Sequence, residues 1–193
     1  MSTRSPYRIA ARPSRNAGRV TVAVIADPNF ALVAKPEQLG RWWCLTPPAL
    51  WSTVSVRGTD PEELLHGVAS VLARQKVDAR RLILIAEGQA ARAALELVLH
   101  GAIDCAGLLA IAVPCAALSF RVVPIATAIR LVVRREDSSA DLIAALRAAD
   151  IDTRIIGFDS ATANGARAAA SAAETFVLEL VANASRQNRH HGA

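Results

Sequence analysis

The residues best placed for chemistry lie where an apolar run turns directly into a helix. Residues 81–86 read as a short strand, and an Ala- and Leu-rich helix follows at once after Glu87, Gly88 and Gln89. A strand that ends and a helix that begins within three residues need small side chains at the bend, because the backbone folds back on itself there. Glu87 adds a carboxylate, a group suited to acid–base work. This bend is therefore the first candidate site.

The bend resembles the nucleophile elbow of the α/β-hydrolase fold, and most closely that of the phospholipase/carboxylesterase family. In that family a small-x-Ser-Gln-small motif follows the central strand. Here Ala86 and Ala90 stand at the two small positions, and Gln89 follows the nucleophile position. Gly88 stands where the family has its serine. The resemblance covers roughly residues 20–184 and implies an esterase scaffold from which the nucleophile is missing.

The resemblance also assigns positions to the acid and the base of an esterase. The acid follows the next-to-last strand, where this chain has Asp137, although an anion is also favoured there simply as the start of a helix. The histidine should follow the last strand, but none occurs there before His190 and His191. His66 and His100 fall on helices and are expected to be partly buried. The resemblance therefore implies that the base is missing as well.

A third departure from the family follows the first strand, at residues 20–26. The family has a His-Gly segment there whose backbone helps to form the oxyanion hole, whereas this chain has Asp27-Pro28-Asn29. Proline has no N–H to donate, and an anionic side chain opposes a developing oxyanion. Ligands of open α/β sheets bind at the carboxyl ends of the strands. The loops that begin there supply the predicted ligand pocket: Asp27, Pro28, Asn29, Pro114, Asp159 and Ser160.

Hydrophobic periodicity predicts the elements that position these residues. Strands are predicted at residues 20–26, 52–56, 81–86, 106–113, 129–133 and 154–158. Helices are predicted to begin at Asp60-Pro61, at the bend, at Ser138 and after Gly165, whereas residues 31–51 read as a connector. Strands joined mostly by helices form a parallel sheet covered on both faces. The predicted fold is a three-layer α/β sandwich with a mostly parallel six-stranded sheet, as in a compact α/β-hydrolase.

Residues 19–184 are predicted to form a single domain. A basic leader over residues 1–18 and a tail over residues 185–193 are expected to be disordered. The leader precedes the first acid of the chain, Asp27, and is rich in arginine. An organelle transit peptide or a nucleic-acid-binding arm remains an alternative for the leader.

Trp42, Trp43 and Trp51 are expected to cover an edge of the core, with a pocket or an interface as the alternative.

Composition narrows the class of protein further. The 193 residues include three cysteines, Cys44, Cys105 and Cys115, which read as reduced, buried thiols of a cytoplasmic protein. Mean hydropathy is +0.28, yet the longest charge-free run, residues 105–120, is shorter than the roughly 20 residues that a membrane span needs. No metal-ligand spacing and no glycine-rich phosphate loop occur. We therefore expect no membrane span, no metal and no cofactor.

These observations leave three hypotheses for function. The leading one is a degenerate carboxylesterase-like protein without triad hydrolysis, which acts as a binding or structural partner for a small acyl-type ligand or another protein, with a homodimer as one possible assembly. The alternative is a hydrolase of small esters or thioesters with a rearranged site, in which Glu87 faces Asp159 and Ser160. In the third, the arginine-rich ends dock the domain on nucleic acid or on another acidic assembly.

Overall fold

A computed structural model describes residues 19–26, 35–55, 60–114, 118–137 and 139–190. The predicted pocket residues Asp27, Pro28 and Asn29 lie outside these ranges. So do the leader, Cys115 and Ser138.

Six parallel strands form one sheet in the order β2-β1-β3-β4-β5-β6. The strands are β1 (Thr21–Ala26), β2 (Leu50–Ser55), β3 (Leu82–Glu87), β4 (Gly107–Ile111), β5 (Ala128–Arg134) and β6 (Thr153–Phe158). Every neighbouring pair is parallel. The predicted six-stranded sheet is therefore confirmed, and it is parallel throughout.

Helices cover both faces of this sheet. They are α1 (Pro36–Leu45), α2 (Pro61–Gln75), α3 (Gly88–Leu99), α4 (Ala140–Ala148) and α5 (Ala163–His190). One apolar cluster packs α2, α3 and α4 on one face, and a second packs α1 and α5 on the other. The three-layer sandwich predicted from the sequence is confirmed.

Strand β3 is buried on both faces of the sheet. Leu82, Leu84 and Ala86 belong to the cluster with α2, α3 and α4, while Ile83 and Ile85 belong to the cluster with α1 and α5. Side chains of a strand alternate between the two faces. Glu87 therefore falls on the face covered by α1 and α5.

The start of α2 follows from its local sequence. The Asp60 carboxylate accepts a hydrogen bond from the Glu62 amide at 2.9 Å, and Pro61 occupies the first helical position. Both features satisfy or remove amide groups that a helix start leaves without partners. This predicted helix start is confirmed.

Helix α1 lies within the stretch that was expected to be a connector, so that expectation is wrong. Pro36 at the first helical position is a start signal, but Lys35 before it makes no side-chain cap. Trp42 is completely buried in the cluster with α5, whereas Trp43 is 62% exposed. Tertiary packing of one tryptophan thus stabilises a helix whose local start signal is incomplete.

Helix α5 continues through the start of the tail that was expected to be disordered. It ends at His190, and within it the Ser185 hydroxyl donates to the Val181 carbonyl oxygen at 2.7 Å. No glycine or proline occurs between Ala184 and His190 to end the helix.

Helix α4 is preceded by Ser139, whose side chain makes no cap.

The two described cysteines differ in environment. Cys105 is buried and Cys44 is exposed, so the expectation of a buried thiol is wrong for Cys44, which lies on the outer side of α1. Burial raises the pKa of the Cys105 thiol to about 12.

No helix of the described chain has the length and apolarity needed to cross a membrane.

Candidate functional site

The bend predicted between strand and helix is present, with glycine at its tip. Strand β3 ends at Glu87 and α3 begins at Gly88, whose φ is +62°. This left-handed conformation suits glycine and costs another residue roughly 1 kcal/mol. Gly88 is buried and Gln89 is exposed. The backbone of the elbow is therefore formed without a side chain at the nucleophile position.

A carboxyl group is buried directly before the bend. Glu87 is 2% exposed and lies opposite Ile111 of β4 in the sheet register. Its side chain does not cap α3, so it leaves the first-turn amides of the helix without that partner. In its ionised form, this group disfavours a second negative charge at the bend.

The loop after β4 is tied to α3. The Pro114 carbonyl oxygen accepts a hydrogen bond from Nη1 of Arg92 at 3.3 Å, and Nε of Arg92 donates to Oε1 of Glu96 at 2.7 Å. Ala112, with φ of +50°, turns the chain sharply after β4. Of the predicted pocket residues, Pro114 is thus placed against the helix that begins at the bend.

The predicted acid lies two strands from the bend. Asp137 follows β5, and β5 is separated from β3 by β4 alone, so the strand axes are about 10 Å apart. Nε of Arg134 lies 3.9 Å from Oδ2 of Asp137, and the Asp137 amide donates to the Arg134 carbonyl oxygen at 3.2 Å. Asp137 is therefore engaged within its own turn.

The loops after β5 and β6 meet through a hydroxyl and a carboxylate. The Ser160 hydroxyl donates to Oε1 of Glu136, while Oδ1 of Asp159 accepts from the Ala161 amide at 2.9 Å. This hydrogen bond from Ser160 is the main reason that the pKa of Glu136 lies below its ordinary value. Sequence reasoning gave Glu136 no role. Because neighbouring parallel strands end at the same edge of a sheet, a sequence that predicts β5 and β6 as neighbours would also have placed Glu136 near Ser160.

Glu87 and Asp159 follow different strands of the sheet. Glu87 ends β3 and Asp159 follows β6, with β4 and β5 between them. The axes of β3 and β6 are about 14 Å apart, but this spacing does not determine how far the loop after β6 reaches across the edge of the sheet. That the two carboxylates face each other therefore stays a prediction.

Neither His66 nor His100 supplies a base to the bend. His66 and His100 are both exposed, so the expectation that they are partly buried is wrong. The His100 ring stacks on Phe120 with centroids 3.7 Å apart, at the far end of α3, whose 12 residues span about 18 Å. His66 lies on the outward side of α2. Among the described residues, no group of three or more His, Cys, Asp and Glu side chains is placed to hold a metal ion.

Comparisons with known proteins find likeness in structure only. No protein-family model matches the chain, and no curated protein matches its sequence. A carboxylesterase from Bacillus cereus superposes with a TM-score of 0.64 and 13% identity, over 88% of this chain and 92% of that one. SOBER1 from Arabidopsis thaliana superposes with a TM-score of 0.58 and 11% identity, over 84% of this chain and 99% of that one. MGS-M1, an α/β-hydrolase from a Medee basin deep-sea metagenome, superposes with a TM-score of 0.54 and 10% identity, over 76% of this chain and 71% of that one. At these identities the comparisons establish the α/β-hydrolase fold.

Proposed function

We propose that this α/β-hydrolase-fold protein binds a small acyl-type ligand at the bend and does not hydrolyse it through a catalytic triad. The observation that carries the proposal is Gly88, which has φ of +62° at the nucleophile position and bears no attacking group. Covalent catalysis of acyl transfer needs a hydroxyl or thiol beside a base. In a well-studied serine hydrolase, removing the nucleophile lowers turnover by about 10⁶.

The contact between Ser160 and Glu136 supports the same conclusion. In a serine hydrolase the acid accepts a hydrogen bond from the histidine ring, and the ring takes the serine proton. Here the Ser160 hydroxyl itself donates to the Glu136 carboxylate. The lowered pKa of Glu136 makes this carboxylate a weak base. Ser160 therefore stays a neutral hydroxyl in this arrangement.

The features that remain at the bend favour a neutral carbonyl group as ligand. The first-turn amides of α3 receive no cap from Glu87, and amides at a helix start donate well to an oxygen. The buried Glu87 carboxyl group opposes a negatively charged ligand when it is ionised. A neutral ester or thioester carbonyl fits both conditions better than a free carboxylate does.

The absence of triad chemistry is tested with a fluorophosphonate probe and with p-nitrophenyl butyrate. We expect no covalent adduct, and we expect the same slow ester turnover for the wild-type chain and for Gly88→Ala, the matched variant that has a side chain but no hydroxyl. Gly88→Ser should also remain inactive, because neither His66 nor His100, the two histidines whose side chains are described, lies beside the new hydroxyl. An adduct on any serine, or turnover above the Gly88→Ala level, would instead favour a hydrolase with a rearranged site.

Ligand binding is tested separately by following backbone amide resonances during titration. Ethyl butyrate should shift the resonances of Gly88 and Gln89 in a saturable way, and butyrate at the same concentrations should not. Saturation by butyrate alone, or an unchanged spectrum with the ester, would contradict an acyl-binding role for the bend.

A further inference from the structure

Strand β2 is an edge strand with outward-facing backbone groups. The Leu50 amide donates to the Val20 carbonyl oxygen at 2.8 Å, so the backbone groups of Leu50 face β1. Backbone groups of successive strand residues point in opposite directions. Trp51 and Thr53 therefore direct their N–H and C=O groups away from the sheet. Among the described strands, β2 is at the end of the sheet and pairs with β1 alone, and such an edge is a template for another strand.

A groove with a volume of about 530 Å³ runs along this edge. Leu39, Gly40 and Trp43 of α1 form one wall, and Arg74 and Gln75 of α2 contribute to the other. The groove is held in shape by two hydrogen bonds, from Nε1 of Trp51 to Oγ1 of Thr46 and from Nε2 of Gln75 to Oγ of Ser52, both at 3.0 Å. The edge is thus flanked by a tryptophan wall on one face and a polar wall on the other.

An added strand would present its side chains to these two walls in alternation. Trp51 packs with the cluster of α1 and α5, whereas Val54 packs with that of α2 and α3. Alternate residues of a paired strand would therefore meet Trp43 on one face and Arg74 on the other. Trp43, at 62% exposure, is among the most exposed large apolar side chains of the described chain.

The charge of the groove selects the kind of strand that fits. Arg74 lines the groove and is exposed, and it forms no ion pair within the part of the chain that the structure describes. A second copy of this chain, paired through β2 about a twofold axis, would bring its own Arg74 to the same face, where like charges repel. The leader is rich in arginine and fits no better.

We propose that an acidic, extended peptide segment of another protein adds to β2 as a seventh strand. Its backbone pairs with the outward groups of Trp51 and Thr53, an apolar side chain packs on Trp43, and a carboxylate binds Arg74. The groove lies beside the amino-terminal half of β2, whereas the bend lies at the carboxyl end of β3. This interaction is therefore independent of ligand binding at the bend.

The proposal is tested by selecting random ten-residue peptides, displayed on phage, against the full chain. The Thr53→Pro variant serves as the counter-selection, because proline removes an outward N–H and is tolerated in edge strands. We expect enriched peptides to carry Asp or Glu within an alternating apolar pattern. Synthetic copies should bind Thr53→Pro at least tenfold more weakly than the wild-type chain, and thermal unfolding should show that the variant is folded.

Two further variants separate charge from folding. Arg74→Glu should reverse the preference of the groove toward Lys-containing copies of the same peptides. Arg147→Glu, which changes an equally exposed arginine in the last turn of α4, should leave binding unchanged. Both sites are at the surface, so neither substitution should unfold the chain.

Several outcomes would overturn the proposal. It fails if no peptide is enriched over the counter-selection, or if peptides with methylated backbone amides bind as well as their parents. It also fails if a synthetic peptide of residues 1–18 displaces the selected peptides, because the occupant would then be the leader. A dimer in light scattering that Thr53→Pro converts to a monomer would make the occupant a second copy.

Discussion

Glu179→Gln is predicted to destabilise the fold more than Arg130→Met, although both substitutions remove the same ion pair. Arg130 on β5 is 1% exposed. Its Nη2 lies 2.7 Å from Glu179 on α5 and 3.0 Å from Asp152. Burial lowers the pKa of Arg130, but its hydrogen bonds to Glu179 and Asp152 outweigh this and keep the pKa above its ordinary value. A fully charged guanidinium is therefore buried beneath α5.

The difference arises from what each substitution leaves behind. Glu179→Gln leaves the cation buried with Asp152, whose side chain is 62% exposed and therefore partly screened by water. Breaking a buried pair in this way costs about 3–5 kcal/mol. The glutamine oxygen still accepts a hydrogen bond, which reduces the expected loss to about 2–3 kcal/mol.

Removing the cation leaves no buried charge of comparable cost. In Arg130→Met, Glu179 keeps Arg154 at 3.1 Å and Asp152 remains in water. Methionine fills much of the vacated volume, and replacing buried ions by apolar groups is often nearly neutral. We expect Arg130→Met to cost about 1 kcal/mol or less.

Urea unfolding followed by circular dichroism measures both free energies of unfolding. The double variant should be more stable than Glu179→Gln alone, because it removes the buried cation that the partly exposed Asp152 compensates only in part. Equal slopes of the unfolding free energy against urea concentration would show that the variants expose similar surface on unfolding. A loss for Arg130→Met as large as that for Glu179→Gln would refute the reasoning, since the asymmetry rests on the buried cation.

Three further predictions concern a thiol, a glycine and a hydroxyl. Burial raises the pKa of Cys105 to about 12, so a disulfide reagent at pH 8 should modify this thiol only after unfolding. Peptide mass spectrometry measures the modification, and a modified Cys105 in the native protein would contradict the prediction. Gly165→Ala should cost about 2 kcal/mol or more, because its Cβ would overlap a backbone carbonyl oxygen of the preceding loop. Gly40→Ala, which meets nothing within 4 Å, should gain up to about 1 kcal/mol, and equal effects would contradict the packing argument. Because folding lowers the pKa of Glu136, its contact with Ser160 stabilises the fold at pH values above 4.5, the ordinary pKa of this group. Thermal unfolding should therefore show Ser160→Ala to be less stable than wild type near pH 7 and equally stable near pH 2. A difference in stability that persists in acid would contradict this prediction.

Features that depend on neighbours in the chain could be predicted from the sequence. The six strands are visible as apolar runs, and the start of α2 is visible in Asp60 and Pro61. Helix α1 was missed although Pro36 occupies its first position, because Lys35 makes no side-chain cap and because the stability of the helix depends on burying Trp42 against a distant helix.

The sequence by itself determined that a glycine occupies the bend and that the described chain folds as an α/β sandwich, because the residues that form these features are adjacent along the chain. Only the tertiary structure decided which side chains meet at the edge of the sheet. It joined Ser160 to Glu136, whose loops follow the neighbouring strands β6 and β5. The physical reason is strand order: parallel pairing joins segments that are distant in sequence, so the loops that become neighbours depend on which strands pair.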